Sequence, residues 1–112
     1  MKVKVNPTAP GTMVVVMPNG SAAAYTVQPG QHLVVGRDSA AHVVIDDPRV
    51  GAGHVAIARL GPGWLVGSLD AANPAMLLDD TGRAQPIGPE LGLRSGELLV
   101  GPCRIKLYPP GS

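Results

Sequence analysis

The sequence predicts an all-β domain, a sandwich of two antiparallel sheets with about ten or eleven strands and no long helix. Three observations carry this expectation. Glycine and proline are frequent, at 15 and 12 of 112 residues, and they recur at intervals of roughly 7 to 15 residues, the punctuation of short strands joined by turns. The longest stretch free of both, residues 37–47, is eleven residues long and shows no helical spacing. Between the turns lie β-branched or alternating segments, and valine, leucine and isoleucine number 14, 11 and 4, enough for a core despite the breakers.

In chain order, residues 1–11 read as an N-terminal arm or extra strand, a possible strand followed by a Pro-bearing segment. The sandwich itself is expected over 12–108. Its first strands fall at 12–17 before Pro18-Asn19-Gly20, at 22–27 before Pro29-Gly30, at 32–36, and at 43–45 before Asp46-Asp47-Pro48. A strand at 54–60 stops at Gly61-Pro62-Gly63, and one at 64–69 leads to the turn at Asn73-Pro74. Later strands are expected at 75–78, 83–87, 98–101 and 103–108. The last has the clearest alternation: Arg104 and Lys106 take one face, Cys103, Ile105 and Leu107 the other, so the lone thiol belongs to the core. Residues 109–112 form a tail.

Composition excludes several functions. Nine Lys and Arg against eight Asp and Glu leave a net charge of +1 with no run of like charge, so no nucleic-acid footprint is expected. The longest wholly apolar run, residues 13–17, has five residues, whereas roughly 18 to 20 are needed to cross a bilayer. The start of the chain lacks a secretory apolar segment, and one cysteine makes no disulfide framework; a cytoplasmic location is expected. His32 and His42 have no partners at metal-ligand spacing, and no metal or cofactor is expected. Gly51-Ala52-Gly53 and Gly61-Pro62-Gly63 lack the Lys-Ser/Thr and helix of a phosphate-binding P-loop and read as turns. Asp46-Asp47 and Asp79-Asp80 read as solvated turn acids, because neighbours on a strand point to opposite faces. There is no nucleophile elbow, and no enzyme is expected.

One ordered set of residues remains: Val35-Gly36-Arg37, His42-Val43-Val44-Ile45-Asp46, His54-Val55-Ala56-Ile57, Trp64-Leu65-Val66, Asn73, and Leu93-Arg94-Ser95-Gly96-Glu97-Leu98-Leu99-Val100-Gly101. In order and spacing it resembles a forkhead-associated (FHA) domain, over about residues 12–108. The resemblance implies a β-sandwich whose loops at one end bind phosphothreonine peptides, a recognition module with protein or phosphothreonine-containing peptide partners. It implies that Arg37, after Gly36, supports the peptide, that Asn73 holds the peptide backbone, and that His54 is bonded within its loop as a structural residue. The family's "S-R-x-H" turn aligns with Gly51-Ala52-Gly53-His54, so its phosphate-binding serine is Gly51 here and its arginine is Ala52. The Gly and Thr that follow the family's asparagine are Pro74 and Ala75.

A phosphate monoester carries about −1.5 to −2 charges and three acceptor oxygens. Loss of one charge-assisted donor should weaken its binding about 10- to 150-fold. Arg49 and the amides of Gly51 and Gly53 are candidate replacements. The favoured expectation is a docking module with weakened or lost phosphothreonine recognition, carried in cis by a larger bacterial protein such as a secretion or transport ATPase. The alternative is a functional phosphothreonine reader in Ser/Thr kinase signalling.

Overall fold

Strand formation follows the turn residues closely. A computed structural model describes residues 9–111, and the chain folds there into eleven strands in two sheets, with no helix among the described residues. The strands are β1 (Gly11–Val16), β2 (Ala22–Val27), β3 (His32–Gly36), β4 (Val43–Val44), β5 (Val55–Leu60), β6 (Gly63–Ser68), β7 (Met76–Leu78), β8 (Ala84–Pro86), β9 (Leu91–Leu93), β10 (Gly96–Val100) and β11 (Cys103–Leu107). One sheet has the order β2-β1-β11-β10-β7-β8 and the other β4-β3-β5-β6-β9. Most of the expected arm at 1–11 lies outside the described residues.

Three details depart from the expected strands. β9 is an additional strand: its three residues straddle Gly92 and pair with Trp64 to Val66 of β6. β10 begins two residues before the expected 98, because Gly96 and Glu97 pair with Leu107 and Lys106. β4 runs parallel to β3 over two residue pairs, Val35 with Val43 and Gly36 with Val44, the one parallel ladder among the described residues.

Alternation places the core between the sheets. Met13 and Val15 of β1, Val55 and Ile57 of β5, Leu98 and Val100 of β10, and Cys103, Ile105 and Leu107 of β11 all point inward and are buried. Cys103 is fully buried as expected, its sulfur 3.8 Å from that of Met17, and burial raises its thiol pKa. Trp64 fills the core and donates from Nε1 to the Tyr108 carbonyl at 2.8 Å.

The buried face of β5 ends on a cation. Arg59 follows Val55 and Ile57 in the alternation and is fully buried. Its Nε donates to the Ala9 carbonyl at 3.0 Å, and Nη1 donates to the carbonyls of Gly61 at 2.6 Å and Gly63 at 3.1 Å. A buried guanidinium is tolerable only when such acceptors replace its water. Arg59 and Trp64 thereby fasten the two ends of the described chain to the β5–β6 hairpin, and Tyr108 and Gly111 add backbone bonds to Thr12 and Pro10. This end of the sandwich is committed to structure. The loops after β3, before β5 and after β6 lie at the other.

Candidate functional site

At the open end, β3 leaves the sheet at Gly36 and meets the loop before β5 backbone to backbone. The Arg37 N–H donates to the Gly51 carbonyl at 2.8 Å, the Asp38 N–H to that of Ala52 at 3.1 Å, and the Ile45 N–H to that of Gly36 at 2.8 Å. The Ala52 carbonyl lies where a side chain at position 36 would stand, so only glycine fits. Arg37 donates from Nε to the Val50 carbonyl at 3.2 Å, and the rest of its exposed guanidinium faces solvent.

His54 ties this loop to its neighbour. It is 1% exposed; its N–H donates to the Val35 carbonyl, its carbonyl accepts from Leu69, and its Nδ1 accepts the Gly51 N–H at 3.0 Å. Accepting at Nδ1 requires a neutral ring protonated at Nε2. Nε2 has no hydrogen-bond partner among the described residues. The Pro74 carbonyl acts on the ring to favour its charged form. Burial outweighs that carbonyl and Asp70, and lowers the pKa of His54 below the ordinary 6.5.

A histidine depressed in the folded state contributes stability that is complete above the unfolded pKa. As pH falls below about 6.5 the unfolded chain takes up a proton that the folded chain refuses, and stability is lost by at most about 1.4 kcal/mol per pH unit. The melting temperature should therefore fall between pH 7 and pH 5. The His54 ring, followed by NMR, should titrate below 6.5; titration at or above that value contradicts the assignment. Asp47 and Asp79 act in a separate window: hydrogen bonds, chiefly from Arg49 and Thr81 respectively, hold their pKa values below 3.8, and their contributions disappear only in stronger acid.

The 70–73 turn brings in Asn73. Its N–H donates to the Asp70 carbonyl at 3.1 Å, while the Asp70 carboxylate accepts from Ala72 at 2.9 Å. The Asn73 amide nitrogen then lies 3.7 Å from where a Cβ on Gly51 would be. Arg37, Gly51 and Asn73 are thus gathered on one ledge. The backbone N–H groups of Ala52 and Gly53 have no acceptor among the described residues. A Cβ at Gly53 would make only ordinary contacts, 3.5 Å to the Leu69 side chain and 3.8 Å to that of Val34.

Arg49 is differently engaged. Its guanidinium meets Asp47 at two points, Nε to Oδ1 at 3.1 Å and Nη2 to Oδ2 at 2.9 Å, and its N–H donates to Oδ1 at 2.8 Å. Its charge is matched before any ligand arrives. The sequence carries the signal, since Asp-Pro-X is a turn in which the aspartate caps the N–H two residues on. With Asp38, Asp46, Asp47 and Asp70 against Arg37 and Arg49, these loops carry four negative charges against two positive, a balance of −2. That balance opposes a phosphate dianion.

An apolar pocket of about 550 Å³ adjoins Asn73, lined by Leu69, Ala71, Pro74, Pro86, Ile87 and Pro89. Sequence reasoning did not single out these residues, since they come from two turns separated along the chain. Leu69 is 52% exposed at its rim.

Neither the protein-family models nor the curated proteins provide a match to this sequence. Solved structures do. The FHA domain of the CT664 protein from Chlamydia trachomatis is similar with a TM-score of 0.74 at 20% identity, over 89% of this chain and 97% of that one. An FHA domain from an Arabidopsis thaliana hypothetical protein gives 0.70 at 18% identity, over 100% of this chain and 96% of the other. Mycobacterium tuberculosis EmbR, solved with a low-affinity phosphopeptide, gives 0.71 at 16% identity, over 91% of this chain but 25% of its own. With two sheets, eleven strands and these structural neighbours, the chain has the fold of the forkhead-associated domains.

Proposed function

We propose that the chain is a non-enzymatic protein-interaction module that docks a cytoplasmic protein partner through the ledge of Arg37, Gly51 and Asn73, with phosphothreonine recognition weakened or lost. The observation that carries this reading is the ledge itself, which keeps one solvent-facing arginine and an asparagine amide but has glycine where a hydroxyl donor would stand. The apolar pocket beside Asn73 supports contacts that need no phosphate. The expected setting is a larger bacterial protein bearing this domain in cis, with a secretion or transport ATPase as one example.

The second reading, a working phosphothreonine reader, draws on the unpaired N–H groups of Ala52 and Gly53, two donors on the loop beside Arg37. Calorimetric titration of a phosphothreonine peptide library and its unphosphorylated twin, against wild type and Arg37→Ala, separates the two. The expected result is no phosphate-dependent binding in the micromolar range. Specific micromolar binding that requires phosphate and disappears in Arg37→Ala would overturn the favoured reading and establish the second.

A further inference from the structure

Among the described residues the two sheets end in four edges, and three are blunted. β4 has two residues and runs into Asp46-Asp47-Pro48; β8 has three, with Arg83 before it and Pro86 in it; β9 has three, between Glu90 and Arg94. Short strands, charges and proline are the means by which sheet edges resist pairing. β2 has none of them. It runs for six residues, Ala-Ala-Ala-Tyr-Thr-Val, without charge, proline or glycine, and pairs with β1 through six consecutive residues without a bulge.

The direction of its free backbone groups follows from the register. Tyr108 donates to the Thr12 carbonyl and Met17 to that of Ser21, so Thr12, Val14 and Val16 bond toward β11 while Gly11, Met13 and Val15 bond toward β2. Their partners Val27, Tyr25 and Ala23 therefore use their backbone groups on β1, and Ala22, Ala24 and Thr26 aim theirs away from the sheet. All three are exposed, and no hydrogen bond reaches their outward groups among the described residues. At the far end Gln28 is closed off by Gln31, which accepts its N–H and donates to its carbonyl.

We infer that β2 is a self-pairing edge, through which two copies of the chain join their six-stranded sheets antiparallel into one continuous sheet. The outward groups are complementary to themselves. With a two-fold axis at Ala24, Ala24 faces its own copy and Ala22 faces Thr26 in both directions, giving about six new backbone hydrogen bonds. A two-fold contact sets every residue near the axis against itself, so a charge there would repel its own copy. β2 carries none, and no side chain longer than threonine stands in the outward row. This surface is separate from the docking ledge.

Sedimentation velocity on the full chain over a concentration series tests the inference. The contact is small, so dimer should predominate only from about 100 μM upward. Ala24→Pro removes an outward donor and no bond to β1, because the residue 24 N–H points away from β1. Ala24→Lys sets two ammonium groups across the axis. Both variants should be monomeric at every concentration, with melting temperatures within a few degrees of wild type. Gly92→Lys, on the β9 edge where a side chain meets open space, should dimerise as wild type does. A wild type that is monomeric at about 1 mM overturns the inference, whatever else covers the edge. So does a dimer that survives both Ala24 substitutions, or one abolished by Gly92→Lys.

Discussion

Replacing Gly36 with alanine is expected to lower the stability of the domain by about 3 kcal/mol, which for a chain of this size is a fall of roughly 12 °C or more in melting temperature. The added methyl would overlap the Ala52 carbonyl oxygen and stand 2.8 Å from its carbon and 3.0 Å from the Gly51 oxygen. These are backbone atoms, and no side-chain rotation relieves them. The loop must lift, and the bonds from Arg37 to Gly51 and from Asp38 to Ala52 break with it, at about 1 kcal/mol each. Arg37 would lose its station, so the ledge would be dismantled together with the loop. Gly88→Ala is the matched control: its Cβ meets nothing within 4 Å, and its melting temperature should stay close to wild type. A Gly36→Ala protein as stable as the control would mean that the close approach of β3 to the 51–52 backbone is wrongly placed.

That close approach was only partly legible in the sequence. Gly36-Arg37 stands out at the end of an apolar strand, and the turn residues announce most strands because each imposes a local backbone geometry. β11 was equally plain: alternation over Cys103 to Leu107 is a local pattern, and the burial of those residues follows it. β9 was not, since three residues with a glycine in the middle carry too little alternation to signal a strand, and its pairing depends on β6. Arg59 was invisible for a deeper reason. A charge in an alternating strand reads as solvent-facing, and what reverses this is a carbonyl on Ala9, 50 residues away, together with the two carbonyls of the following turn. The site divides in the same way. The order of Arg37, His54 and Asn73 was apparent along the chain, while the 3.7 Å approach of the Asn73 amide to position 51 and the pairing of Arg49 with Asp47 are facts of tertiary and turn geometry.

Gly51→Ser combined with Ala52→Arg is expected to create strong phosphothreonine binding, against the weak or absent binding proposed for the wild type. Position 51 accepts a side chain without strain. Its φ is outside the left-handed region that favours glycine, and a Cβ there makes only ordinary contacts, 3.7 Å to the Asn73 amide and 3.8 Å to His54. The serine hydroxyl would enter the ledge between Arg37 and Asn73, supplying the donor that glycine lacks. Position 52 is exposed and its side chain is a single methyl, so an arginine there reaches solvent and changes the charge balance of these loops from −2 to −1. A hydrogen bond to a charged group contributes about 1.5 to 3 kcal/mol, so the serine alone should raise affinity for a phosphothreonine peptide at least about 10-fold. Both changes together should raise it by about 100-fold or more, since the guanidinium adds a second charge-assisted contact. The unphosphorylated peptide should gain nothing, which separates a phosphate contact from general stickiness. Calorimetry of the single and double variants against both peptides provides the measurement, with Arg37→Ala placed in the double variant to show that the new affinity uses the existing ledge. A double variant that folds as wild type and gains no phosphate-dependent affinity would show that Arg37 and Asn73, though gathered on one ledge, do not face a phosphate.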